Sequence, residues 1–208
     1  MKIKTILENN NKWMQRKLLE DPNYFTNLSK GQKPEVLYIG CSDSRVVGEE
    51  FMGAKPGDIF VHRNIANMVP NADMNILSVI NYAVVHLKVK QIIVCGHYFC
   101  GGVKAAMEFK DLGVLNPWLK NIRDVYYLHK KELDEIKDYT LRFHRFVELN
   151  VLEQCFNIFK IAEVQQAYQN KNLAIHGWVF NTSSGKIIDL KLNNKELFDE
   201  MMETFKLK

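Results

Sequence analysis

The sequence has no apolar run long enough to cross a bilayer, which argues against a transmembrane helix. Its first stretch, Met1–Asn9, carries lysines but no apolar core behind them. It does not read as a secretory signal, and the cytoplasm is the expected compartment. No Lys or Arg run is interleaved with aromatics, and the net charge of +4 is weak and evenly spread. Neither nucleic acid nor a membrane surface is an expected partner. Four cysteines in 208 residues are too few for a disulfide framework. In a reducing compartment, spaced Cys and His read better as metal ligands or catalytic groups. There is no internal repeat, no low-complexity segment, no His-Glu-x-x-His pattern and no Gly-x-Ser-x-Gly elbow. His62, His86, His129, His144 and His176 have no partner at metal spacing.

What is present is an ordinary globular composition, 47% hydrophobic and 25% charged. The length suits a single α/β domain over residues 1–208. Two stretches carry chemistry. Glu35–Ile39 is a short apolar run that reads as a buried strand, and it leads into Gly40-Cys41-Ser42-Asp43-Ser44-Arg45. If the chain stays extended there, Cys41, Asp43 and Arg45 share one face and point a thiol, an anion and a cation the same way. Gln91–Cys95 is a second β-branched run, and it ends in Gly96-His97-Tyr98-Phe99-Cys100-Gly101-Gly102. Cys41, His97 and Cys100 form a Cys2His set, which suits zinc and leaves a fourth position open. A lone cysteine at a strand end is more often a small buried hydrophobe. The residues alone leave both readings standing. Cys95, inside a strand, and Cys155, on a helix, read as core.

The remaining elements follow from pattern. Residues 5–28 read as a helical arm in two pieces, interrupted at Asp21-Pro22-Asn23. Ile59–His62 reads as a strand, and Ala72–Lys88 as an amphipathic helix leading into the Gln91 strand. Gly101-Gly102 opens another helix. Residues 117–168 are mostly helical, with a break near Lys137-Asp138. Residues 173–180 and 186–190 flank the turn Asn181–Gly185 as a hairpin, and a last helix is expected near Lys195–Phe205. Strand–helix alternation predicts a mainly parallel sheet flanked by helices. In such sheets, ligands bind beyond the carboxyl ends of the strands at a topological switch point, where both candidate stretches begin.

Cys-Ser-Asp-Ser-Arg-Val at 41–46, with Cys-Gly-His-x-x-Cys-Gly-Gly at 95–102, resembles the β-class carbonic anhydrases. The similarity runs from about Trp13 to Leu190. It takes in Gln32 with Pro34, His62–Asn67, Tyr82-Ala83-Val84 and His176-Gly177-Trp178. The resemblance implies an α/β fold with an N-terminal helical arm, residues 1–30, embracing a second subunit in a homodimer or homotetramer. It implies zinc held by Cys41, His97 and Cys100, with water or hydroxide in the fourth position attacking carbon dioxide to give bicarbonate. Asp43 would accept a hydrogen bond from that hydroxide, and Arg45 would hold Asp43 off the metal. Gln32, Tyr82 and Gly101 would contact substrate. Two alternatives stay open: the same scaffold hydrolysing another small heterocumulene, such as carbonyl sulfide or carbon disulfide, or a zinc scaffold closed by Asp43 as fourth ligand. Some members bind bicarbonate at a second site formed by a Trp, Arg and Tyr trio. The matching positions are Tyr38, Arg63 and Phe180, of which only the Arg is kept, so that regulation is not expected. Val47-Gly48 departs from the more usual Pro-Ala, with no functional reading from sequence.

Overall fold

The computed structural model describes residues 2–192 and 203–205. The chain divides into two compact units, Met1–Lys33 and Pro34–Lys208. The first unit holds α1 (Ile3–Glu20) and α2 (Tyr24–Leu28). Asp21 ends α1, and its side chain accepts from the Asn23 amide in the turn that the sequence marks with Pro22. Trp13 packs edge-on against Tyr24 and Phe25 with ring centroids 6.4 and 5.4 Å away. None of the residues in α1 is buried, and Ile3, Leu7 and Leu19 lie exposed.

The second unit is built on five strands: β1 (Val36–Cys41), β2 (Ile59–Asn64), β3 (Gln91–His97), β4 (Ala174–Asn181) and β5 (Lys186–Asp189). Their order is β2-β1-β3-β4-β5. All neighbours are parallel except the β4–β5 hairpin. Residues of β1 and β3 alternate between two buried faces. Leu37, Ile39, Ile92 and Val94 join the main core, while Tyr38, Ile93 and Cys95 join a smaller cluster on the other side. Both faces being covered explains why these strands read as continuous apolar runs.

The helices are α3 (Gly48–Phe51), α4 (Met74–Asn81), α5 (Gly101–Met107), α6 (Asn116–Leu128), α7 (Lys130–Glu135), α8 (Tyr139–Phe159) and α9 (Ala162–Gln169). The single helix expected over 72–88 instead changes character. It begins at Met74, capped by the Asp73 carboxylate, and Tyr82–Leu87 continue it as a π-helix closed by Lys88 in the left-handed region. Periodicity cannot separate these forms, since both keep the same apolar face inward. The helix expected near Lys195–Phe205 lies mostly outside the described residues. No described helix is long and apolar enough to cross a membrane.

From β1 the chain passes to β2 on one side and then to β3 on the other, so the switch point lies between β1 and β3. Gly40 pairs with Cys95 across that ladder, which brings Cys41 beside His97 at the carboxyl end. Helix α8 covers this region closely. A Cβ added at Gly96 would stand 2.6 Å from Val151 Cγ2. The chain leaving β2 turns tightly through Ala66 and Asn67, both at positive φ (65° and 50°). Side chains hold that turn. Asn64 bonds both the amide and the carbonyl of Met68 at 2.7 Å. From α8, buried Asn150 donates to Ala66 O at 3.0 Å, and buried Gln154 accepts from Val69 N at 2.8 Å.

Three outcomes follow for urea unfolding. Gly96→Ala forces α8 off β3 and should cost about 1–3 kcal/mol. Gly101→Ala, whose Cβ would meet nothing within 4 Å, should stay within about 0.5 kcal/mol of the parent. Asn150→Leu strips the buried Ala66 carbonyl of its donor and should cost about 1–3 kcal/mol. An unchanged midpoint would show that the turn does not depend on this bond.

Candidate metal centre

Cys41 ends β1, His97 ends β3, and Cys100 immediately precedes α5. Their ligand atoms lie within 4.8 Å of one another, and all three residues are buried. The two Sγ atoms are 3.8 Å apart, and both thiols are free. Two sulfurs sharing a tetrahedral zinc, each at about 2.3 Å, stand about that far apart. His97 Nδ1 donates to the Tyr98 carbonyl at 3.0 Å. That leaves Nε2 as the lone-pair nitrogen, and it is buried with no hydrogen-bond partner. A buried acceptor facing two thiols is what a metal ligand set requires. The donors fit a zinc ion.

Backbone amides temper the charge on sulfur. Ala66 N–H, presented by the positive-φ turn, points at Cys41 Sγ from 3.4 Å. The Cys41 thiol is pushed down chiefly because Cys100 donates to it, with burial opposing. The same contact, together with burial, pushes Cys100 up. Cys95 and Cys155 are core thiols as expected, and burial raises both, Cys95 to about 12.

The strip 41–45 does not stay extended. The strand ends at Cys41 and the chain turns at Ser44-Arg45. The Arg45 amide donates to Asp43 Oδ1 at 3.0 Å, and Val46 N–H closes on Asp43 O at 3.0 Å. Asp43 prefers this local side-chain-to-backbone bond over a further strand residue. The turn still groups the charges. Arg45 Nε reaches Asp43 Oδ1 at 2.9 Å and Nη2 reaches Oδ2 at 2.7 Å, a side-on bidentate pair. Asp43 Oδ2 lies 3.7 Å from His97 Nε2. The Arg45 bonds hold the Asp43 carboxyl well below the usual carboxylate range.

Arg63 braces the same turn from β2. It donates to the carbonyls of Cys41, Asp43 and Val46 at 2.9, 2.7 and 2.7 Å. The other members of the trio serve packing. Tyr38 is fully buried, and Phe180 stacks on Phe51 at 4.4 Å and 8°. The Tyr38 ring lies where a Cβ on Gly48 would go, 2.6 Å from its Cζ. Gly48, unexplained by sequence, is the space the tyrosine needs.

A cleft of about 340 Å³ opens beside Cys41. Asp43 and Gly101 line it together with the apolar side chains Ile65, Ala105, Leu112 and Leu115. Tyr82 lies outside that lining, half exposed, with its ring 5.8 Å from Phe60 and 5.4 Å from His86. Gln32 is an exposed residue of the first unit. A larger cavity of about 840 Å³ lies at the opposite ends of β3 and β4, by Gln91 and Ala174. It touches none of the ligand residues, so chemistry and not size identifies the site. Sequence reasoning missed the Ala66 amide and its supports Asn150 and Gln154. A lone polar residue on an apolar helix face was their only signal.

A model of the family described as carbonic anhydrase matches residues 36–187. A carbonic anhydrase of Emericella nidulans is 55% identical over 97% of this chain and 89% of its own length. The crystal structure of the β-carbonic anhydrase CafA of Aspergillus fumigatus is 37% identical and superposes over the whole of both chains with a TM-score of 0.93. One of two tetrameric β-carbonic anhydrases from Sordaria macrospora is 42% identical, with a TM-score of 0.86 over 90% of this chain and 95% of that one. On this fold, this ligand set and these similarities, the chain belongs to the β class of the carbonic anhydrase family.

Proposed function

We propose that the protein binds zinc through Cys41, His97 and Cys100 and catalyses the reversible hydration of carbon dioxide to bicarbonate and a proton. One observation carries the reading. A buried Cys2His set with an unpartnered His97 Nε2 stands beside a carboxylate that Arg45 grips through both oxygens. Zinc, when bound, supplies the Lewis acidity that makes water a nucleophile near neutral pH.

The chain's own groups then have defined tasks. Asp43, kept anionic by Arg45, accepts a hydrogen bond from the attacking water and fixes its orientation. Arg45 holds that carboxylate beside the ligand cluster by occupying both of its oxygens, and its fork matches them in a way one ammonium cannot. Ile65, Ala105, Leu112 and Leu115 give an apolar wall suited to a small neutral substrate. Gly101, at the start of α5, brings backbone to the cleft. We assign Gln32 and Tyr82 to substrate contact on the strength of the family motif. We also propose a homodimer or homotetramer in which the arm 1–30 packs on a neighbouring subunit. The exposed Ile3, Leu7 and Leu19 support that reading. A closed zinc scaffold would need Asp43 free of Arg45, and the bidentate pair argues against it.

Metal analysis of the purified protein should give one zinc per chain, and Cys100→Ser should fall well short of that. Asp43→Ala should keep its zinc while stopped-flow hydration drops by about 100-fold or more. Loss of zinc from Asp43→Ala would instead favour the closed scaffold. The pH dependence has a definite sign. In the parent, the lowered carboxyl stays ionised down through mildly acid pH. Arg45→Ala removes the bonds that lower it and should let the Asp43 carboxyl return towards the ordinary carboxylate range, which an NMR titration of that carboxyl reads as a midpoint at higher pH. An unmoved midpoint would show that Arg45 does not set the ionisation of Asp43.

A further inference from the structure

The two residues that separate His97 from Cys100 are held from outside their own turn. Tyr98 N–H donates to Phe180 O on β4 at 3.1 Å. Its carbonyl receives His97 Nδ1 at 3.0 Å. Its hydroxyl donates to Glu148 Oε1 on α8 at 2.7 Å, and its ring stacks on His144, also on α8, at 4.0 Å and 21°. Glu148 is fixed in turn: its Oε2 accepts from Arg145 at 3.1 Å, and Arg145 reaches Glu132 on α7 at 2.5 Å. Phe99 sits at φ 61° and sets its ring edge-on to His144 at 5.2 Å. The spacer is thus clamped to a helix that supplies no metal ligand.

The orientation of a ligating imidazole is set by what its other nitrogen donates to. Here the acceptor is the carbonyl of the next residue, so the ring is only as fixed as residue 98. We propose that Tyr98, clamped by Glu148 and His144, is a positioning residue that aims His97 Nε2 and so sets how slowly the site releases its metal. The inference rests on zinc binding by Cys41, His97 and Cys100. The Tyr98–Glu148 bond joins a phenol to a carboxylate, the stronger charge-assisted kind. Burial and the Glu148 carboxylate raise the phenol's pKa, so it remains a donor.

The test is zinc transfer from the loaded protein to a chromophoric chelator, read alongside the visible spectrum of the Co(II)-substituted protein. Tyr98→Phe keeps the ring and loses the bond, and Glu148→Gln loses the charge. Tyr126→Phe is the control, because it breaks a similar tyrosine–carboxylate bond, Tyr126 to Asp134 at 2.9 Å, between α6 and α7. Tyr98→Phe and Glu148→Gln should each release zinc about tenfold faster and shift the Co(II) bands. Their combination should release it no faster than either alone, since they break one interaction. Tyr126→Phe should change neither readout, even if it lowers the unfolding midpoint. Release from Tyr98→Phe at the parent rate overturns the clamp while leaving zinc binding in place. So does an equal acceleration in all three variants that follows their loss of stability. A parent protein that binds no zinc overturns both readings.

Discussion

The parallel ladder between β1 and β3 sets the geometry on which the rest depends. Gly40 lies opposite Cys95, and the next positions, Cys41 and the Gly96-His97 pair, meet where both strands end. A slip of one residue would turn Cys41 to the other face and replace the thiol with Gly40 or Ser42. Register is protected because both faces are buried, with Leu37 and Ile39 inward on one side and Tyr38 on the other. Gly96 then lets α8 lie close on β3. From that position α8 supports both flanks of the cluster, Asn150 and Gln154 on the turn at Ala66, and His144 and Glu148 on the spacer at Tyr98.

The charges near the cluster serve orientation more than stability. Arg45 is more than half exposed, and an exposed ion pair is worth little. Its value lies in the two-point grip that fixes which way the Asp43 carboxylate faces. Arg63 is different in kind. It spends its donors on three backbone carbonyls, and so turns the strand end back on itself without adding a charge partner for Asp43. Two buried sulfurs 3.8 Å apart could not both be anionic without a cation between them. The protein meets that cost with amide donors and, in the proposed function, with zinc.

The opposite face of the sheet shows how a substitution and its neighbour are linked. Tyr38 extends across Gly40 and Gly48, and a methyl group at either position would collide with its ring. Phe51 and Phe180 stack beside it. At the three positions matched to the Trp, Arg and Tyr trio, this chain has aromatic packing from Tyr38 and Phe180, and Arg63 is already committed to carbonyls. The absence of the trio was readable from sequence; what fills its place was not.

Much of the fold was legible locally. Apolar runs ending in Gly gave β1 and β3, Asn181–Gly185 gave the hairpin, and strand–helix alternation gave a parallel sheet. The Cys2His set was legible because its residue types have few other reasons to sit at two strand ends. Local pattern could not separate α4 from the π-helix that follows it, since both bury the same face. It also mistook residues 42–45 for extended chain, because the Asp43 side-chain bond to Arg45 N–H competes with strand continuation. What the sequence determined by itself is therefore the inventory: which residues can ligate, which are apolar, and where the chain must turn. Only the tertiary structure decided which of them act together. Ala66 N–H at Cys41, Asn150 behind Ala66 and Glu148 behind Tyr98 join residues from 25 to 84 positions apart. Such contacts arise from strand register and helix packing, which no local spacing encodes.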